Sequence, residues 1–168
     1  VRQDSLVSPG QILAQLDPTQ AGSTVEESAA KYRAALAASA RLRAEVNQTA
    51  LSFPDELDEF LDLKAEETHL FEARRRSLAS SLGLIDESLA LISKELSIGE
   101  SLIEVGAASN VEVLRLKRQR AELALKKADL RSQYVVEARQ ELARADEEVM
   151  ALAPVVRGRS DTLNRLTL

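Results

Sequence analysis

The sequence has no cysteine and no tryptophan, one methionine, one histidine, four prolines and six glycines, and aromatic residues make up 3% of its 168 positions. Without cysteine there is no disulfide scaffold, no thiolate zinc site and no cysteine nucleophile. With His69 as the only imidazole, neither a histidine metal site nor a Ser-His-Asp triad has material; composition leaves open only a site made of carboxylates. Phe53, Phe60, Phe71, Tyr32 and Tyr134 are too few to fill a thick globule, since a core leans on rings that bury about 150–250 Å² each. A basic field is missing too. The net charge of −5 and pI near 5.1 oppose a nucleic-acid binder, which must displace counterions from phosphate. No apolar run approaches the ~18–20 residues that cross a bilayer, and no basic segment followed by an apolar one opens the chain. As it stands the chain is expected to be soluble, and a fragment of a longer protein.

What is present is Ala, Leu, Glu, Arg and Ser, the composition of long helices. Residues 1–22 differ from the rest: Val1, Leu6, Val7, Ile12, Leu13 and Leu16 alternate with polar residues around Pro9 and Gly10, a pattern of two short strands and a turn. Ser23 with Glu26 forms a capping box, predicting a first, Ala-rich helix over 23–51. Pro54, followed by Asp55, Glu56, Asp58 and Glu59, predicts a restart, because proline fits the first helical turn and acids suit the positive end of the macrodipole.

The outgoing helix, expected over 52–105, carries the clearest pattern. Leu57, Leu61, Lys64, Thr68, Phe71, Arg75, Leu78, Leu82, Ile85, Leu89, Ile92, Leu96, Gly99 and Ile103 alternate steps of four and three, the seam of a left-handed coiled coil. A second row at multiples of seven, Leu63, Leu70, Leu84, Leu91, Ile98 and Val105, widens the apolar arc beyond what one partner helix needs. About 52 residues would make a rod of roughly 78 Å. Gly106 can end this helix in the left-handed conformation, and Ser109 or Asn110 can cap the next, so 106–110 is read as a hairpin tip. The returning helix, 111–164, shows Leu114, Ala121, Ala128, Val135, Leu142, Val149, Val156 and Leu163 every seven residues. Its companion row slips by about one residue near Tyr134, from Leu116, Leu123 and Leu130 to Ala138, Ala145 and Leu152. Pro154 and Gly158 predict a kink or fraying over 154–158. The fold class is therefore mainly α: a long antiparallel coiled-coil hairpin with a shorter additional helix, leaving a small β element and returning to it.

Catalysis finds no foothold. The acidic run from Asp55 to Glu67 lacks the offsets and glycine of a calcium loop and reads as a solvated helix face. Arg74, Arg75 and Arg76, like Arg115, Lys117, Arg118 and Arg120, are interspersed with acids such as Glu122 and read as coiled-coil surface. Ser97, Ser101 and Ser109 lack a histidine partner and a nucleophile elbow, and no glycine loop cradles phosphate. The chain is read as a non-enzyme without cofactor or metal, acting through its surfaces, above all at the hairpin turn.

Val1, Leu6, Val7, Gly10, Gln11, Leu13 and Leu16-Asp17 resemble half of a biotinyl/lipoyl-type domain, with Asp4-Ser5 in place of the usual Gly-Asp and with Lys31 inside the helix rather than at a carrier position. That half motif, then Leu16 to Ala21, a helical hairpin turning through Glu104 to Ser109, the return Val111 to Arg118 and the closing Asp161 to Leu168 together resemble the HlyD-like membrane fusion proteins, the periplasmic adaptors of type I secretion. The resemblance implies that 165–168 starts a second lipoyl half. It implies a periplasmic location with an inner-membrane anchor outside this chain, an inner-membrane ABC transporter and a TolC-like outer-membrane channel as partners, an exported protein as cargo, and a homo-oligomeric ring, hexameric in the family. In the family the tip docks on the channel through Arg, Leu and Ser spaced R-x3-L-x6-S. Leu102 and Ser109 match the last two positions and Ile98 stands at the Arg position, so Leu102, Val105, Gly106 and Ser109 are the expected docking residues. Leu102 as core and Ser109 as a helix cap would explain the same residues without docking. A coiled-coil scaffold or tether without an export role is the alternative function.

Overall fold

The computed structural model describes the backbone of residues 18–107 and 109–166 and the side chains of 26–107 and 109–158. Three α-helices account for most of it: α1 (Pro18–Asn47), α2 (Leu61–Glu104) and α3 (Asn110–Leu166), with one 3-10 turn, Asp55–Leu57, between the first two. Among the described residues there is no strand. The expected helical hairpin with a shorter third helix is what forms. The β element expected over 1–22 lies outside the described residues as far as residue 17, while 18–22 are helical. Of the expected second lipoyl half, residues 165 and 166 belong to α3, and 167–168 lie outside the described residues.

The helix ends differ from expectation for local reasons. α1 starts at Pro18, where the fixed φ of proline favours a first turn, so Ser23 and Glu26 fall inside the helix rather than capping it. Pro54 is extended at φ −63°, ψ 150° and opens only the 3-10 turn, closed by Leu57 N–H to Pro54 O at 3.0 Å. Leu57 is fully buried and anchors that turn. Of the acids expected to start a helix, Asp58 serves the loop instead: it accepts from Lys64 Nζ at 2.9 Å, and the same ammonium lies 5.8 Å from the Phe53 ring centroid. α2 therefore has 44 residues, about 66 Å at 1.5 Å per residue. α3 runs through Pro154 to Leu166 without a break in the helix.

Contacts divide the chain into two compact units, Val1–Leu36 with Asp146–Leu168, and Ala37–Ala145. In the first, Lys31 pairs with Glu27 and Arg33 with Glu26, each at 2.6 Å; Val149, Leu152, Val155 and Val156 are half-buried. The second contains the hairpin. On α2 the seam from Leu78 to Ile103 faces inward as the heptads predict, with Ile85 and Leu96 buried. On α3 the inward row is the companion one. Leu116, Ala138 and Ala145 are buried and Leu123 and Leu130 half-buried, whereas Leu114, Ala121 and Ala128 are exposed. Steps of seven become eight between Leu130 and Ala138, so the predicted slip near Tyr134 is present. Near the turn, Leu96, Val113 and Leu116 pack with Ile92 and Ile103. A Cβ on Gly99 would stand 3.2 Å from Val113 Cγ2, a tight contact that Val113 would have to shift slightly to admit.

Below Tyr134 the end of α1 completes the packing. Leu42 joins Ala138 and Ala145, supported by Ala38, Val46 and Leu142; alanines let the backbones approach. Two buried charges lie beside this cluster. Arg41 donates to Glu45 Oε1 at 2.6 Å and to Glu67 Oε2 at 2.5 Å. Arg74 donates to Glu141 at 3.2 Å; its Nε lies 3.0 Å from Glu45 Oε2 but is not aligned as a hydrogen bond, so that oxygen and the buried Tyr134 hydroxyl have none. Burial first, then the nearby Glu45 charge, pushes the Tyr134 hydroxyl up from its ordinary pKa. α1 ends with Gln48 at φ 55°, Thr49 N–H reaching Ala44 O at 3.0 Å and Gln48 N–H reaching Glu45 O at 3.3 Å. That is a Schellman ending.

Candidate docking site at the hairpin tip

α2 ends by the same device. Gly106 takes φ 71°, its N–H donates to Ile103 O at 2.9 Å, and Ala107 N–H donates to Leu102 O at 2.8 Å. Glycine carries this conformation without the steric cost of a Cβ. Ser109 then caps α3: its hydroxyl accepts from Val111 N–H at 3.2 Å, and its carbonyl accepts from Glu112 N–H at 3.1 Å. Of the two expected caps, it is Ser109 that fills the position.

The expected docking residues are all exposed at this turn. Leu102 is 41% exposed and Val105 75%, so Leu102 is not core; Ile103 is the neighbour that packs inward. Ile98, at the family's Arg position, is 54% exposed one to two turns below. Sequence reasoning missed two more side chains. Val111 and Leu114, 73% and 65% exposed, extend the apolar surface onto α3. Val113 and Leu116 pack in the seam with Leu96, which turns Leu114 away from it; nothing in the sequence alone separates the Leu114 row from the Leu116 row.

Two ion pairs flank this apolar end. Arg115 Nη2 donates to Glu112 at 2.5 Å, and Lys117 meets Glu100 across the hairpin at 2.8 Å. Hydrogen bonding from these cations, and their charge, hold the Glu112 and Glu100 carboxyls below their ordinary range. Among the described residues no group of His, Cys, Asp or Glu could hold a metal ion, and no helix is long and apolar enough to cross a membrane. The arrangement offers an exposed apolar surface at the turn, with the Glu104 carboxylate exposed within it.

A hairpin with a third helix packed against it is a fold found in another solved structure. The solved structure of the soluble domain of LipC, a membrane fusion protein of a type I secretion system, is similar to this chain at a TM-score of 0.52 and 20% sequence identity, over 92% of this chain and 96% of that one. Comparison with models of known protein families gives no match, and neither does comparison with curated proteins.

Proposed function

We propose that this chain is the periplasmic part of a type I secretion adaptor, bridging an inner-membrane ABC transporter to a TolC-like outer-membrane channel while the exported protein passes within a ring of copies. One observation carries the reading: Ile98, Leu102, Val105, Val111 and Leu114 are all more than two-fifths exposed around one turn, an apolar patch of the kind that marks an interaction site. The fold shared with a secretion adaptor's soluble domain supports it. Docking at the tip uses apolar contact where the family places an Arg.

The test is capture of a detergent-purified outer-membrane channel by the adaptor. Leu102→Asp with Val105→Asp is expected to weaken capture tenfold or more, since each apolar side chain kept from water is worth about 1.5–3 kcal/mol. Circular dichroism showing wild-type helicity in the double variant is the folding control. Undiminished capture by the double variant removes the tip from the docking surface.

A further inference from the structure

Two rows of exposed side chains run along the outside of the distal hairpin. On α2, Leu84, Leu91 and Ile98 recur every seven residues and are 64%, 64% and 54% exposed. On α3, Leu114 and Leu125 are 65% and 63% exposed, with Ala121 and Ala128 exposed beside them. The rows lie on opposite sides. Leu78 and Tyr134 form a partition with a hollow on each side, one lined by Ala79, Arg131 and Val135, the other by Ser77, Ser81 and Gln133. Ser77 is one heptad before Leu84, so the α2 row continues the second side. Val135 is one heptad after Ala128, so the α3 row continues the first. The ion pairs of Asp86 with Lys127 and Glu100 with Lys117 set the heights, placing Leu91 level with Ala121 to Leu125.

Charge is divided in the same way. Residues 77–104 of α2 hold five acids, Asp86, Glu87, Glu95, Glu100 and Glu104, against Lys94, a net charge of −4. Residues 110–136 of α3 hold seven bases against Glu112, Glu122 and Asp129, a net charge of +4. A two-fold contact of α2 on α2 or α3 on α3 would set like charge against like. A head-to-tail contact sets opposite charges together, and it repeats, because every copy keeps one free side of each kind.

We propose that the α2 side bearing Leu84, Leu91 and Ile98 packs on the α3 side bearing Leu114, Ala121, Leu125 and Ala128 of a second copy, head to tail. The leucines of one copy enter the shallow positions left by the alanines of the next, as knobs enter holes. This deepens the adaptor reading by assigning the surface through which copies meet, yet its assay contains no channel.

The chain has no cysteine, so disulfide trapping in the full protein reports only introduced thiols. Leu91→Cys and Ala121→Cys, each an exposed position, are expected to stay monomeric alone under mild oxidation, to form a cross-linked dimer when mixed, and to give a ladder of multimers when combined in one chain. Raising salt from 0.05 to 0.5 M is expected to cut the mixed product severalfold. Leu91→Cys mixed with Gln133→Cys, on the same side as Leu91, is expected to give none. Circular dichroism checks that each variant keeps wild-type helicity. Dimers from Leu91→Cys alone at the rate of the mixture, or a mixture that stays monomeric at millimolar protein, overturn the proposal; either result leaves channel capture by the tip to be judged on its own assay.

Discussion

Gln48 and Gly106 hold the same place in two helix endings: each has positive φ, at 55° and 71°, and each is followed by an N–H that reaches back to a carbonyl five residues earlier. Only one of them is a glycine. A side chain in this conformation costs roughly 1–2 kcal/mol, while glycine gives back about 0.5–1 kcal/mol through its freer unfolded chain. Gln48→Gly should therefore raise stability by about 0.5–1 kcal/mol in urea unfolding. Gly106→Ala should lower it by about 1 kcal/mol, although a Cβ there meets open space, because the cost lies in the backbone. Tyr134 gives a pH-dependent prediction. Its buried hydroxyl has no hydrogen bond and its folded pKa is raised, so the neutral form is favoured in the native state. That contribution is present below the ordinary phenol pKa of about 10 and is lost as pH rises through the folded value. Tyr134→Phe should leave stability at pH 7 within about 1 kcal/mol of wild type and lessen the alkaline loss, as read by urea midpoints from pH 8 to 11.

At the scale of elements, α2 was the most legible part of the sequence, because one face of a long helix must carry a regular row wherever it meets another helix. Which row faces in was harder on α3, where Leu114 and Leu116 both head rows of seven and only the partner's position selects Leu116. The join of Arg41, Glu45, Glu67 and Arg74 was not legible at all. Charged residues read as solvent-facing when taken singly, and this group is assembled from two helices, with Glu141 contributed by a third. The expected docking residues were legible as a turn, whereas the exposure of Val111 and Leu114 follows from Val113 and Leu116 packing against Leu96. Arg41→Ala should cost about 3–5 kcal/mol, since it leaves the fully buried Glu45 short of a partner; a smaller loss in urea unfolding would mean that water enters to solvate Glu45. Ser109→Ala should cost about 1 kcal/mol and speed amide exchange in the first turn of α3.

For the molecule as a whole, the division at residues 36/37 and 145/146 states what belongs to the hairpin. Residues 37–145 include both apolar clusters, Leu42 with Ala138 and Ala145, and Leu96 with Val113 and Leu116, together with the whole ionic group. A fragment of those residues should fold by itself and melt in one cooperative helical transition by circular dichroism; a broad, noncooperative melt would show that it needs the remainder.

The extra residue between Leu130 and Ala138 also sets a limit. The row that starts at Leu114 lies on the surface at Ala121 and Ala128, is half-buried at Val135 and has joined the interior by Leu142. From Leu114 to Val135 is about 32 Å of helix. Two hairpins standing side by side along that row would be zipped over little more than the outer thirty ångströms and would part below it, where α1 takes up the space.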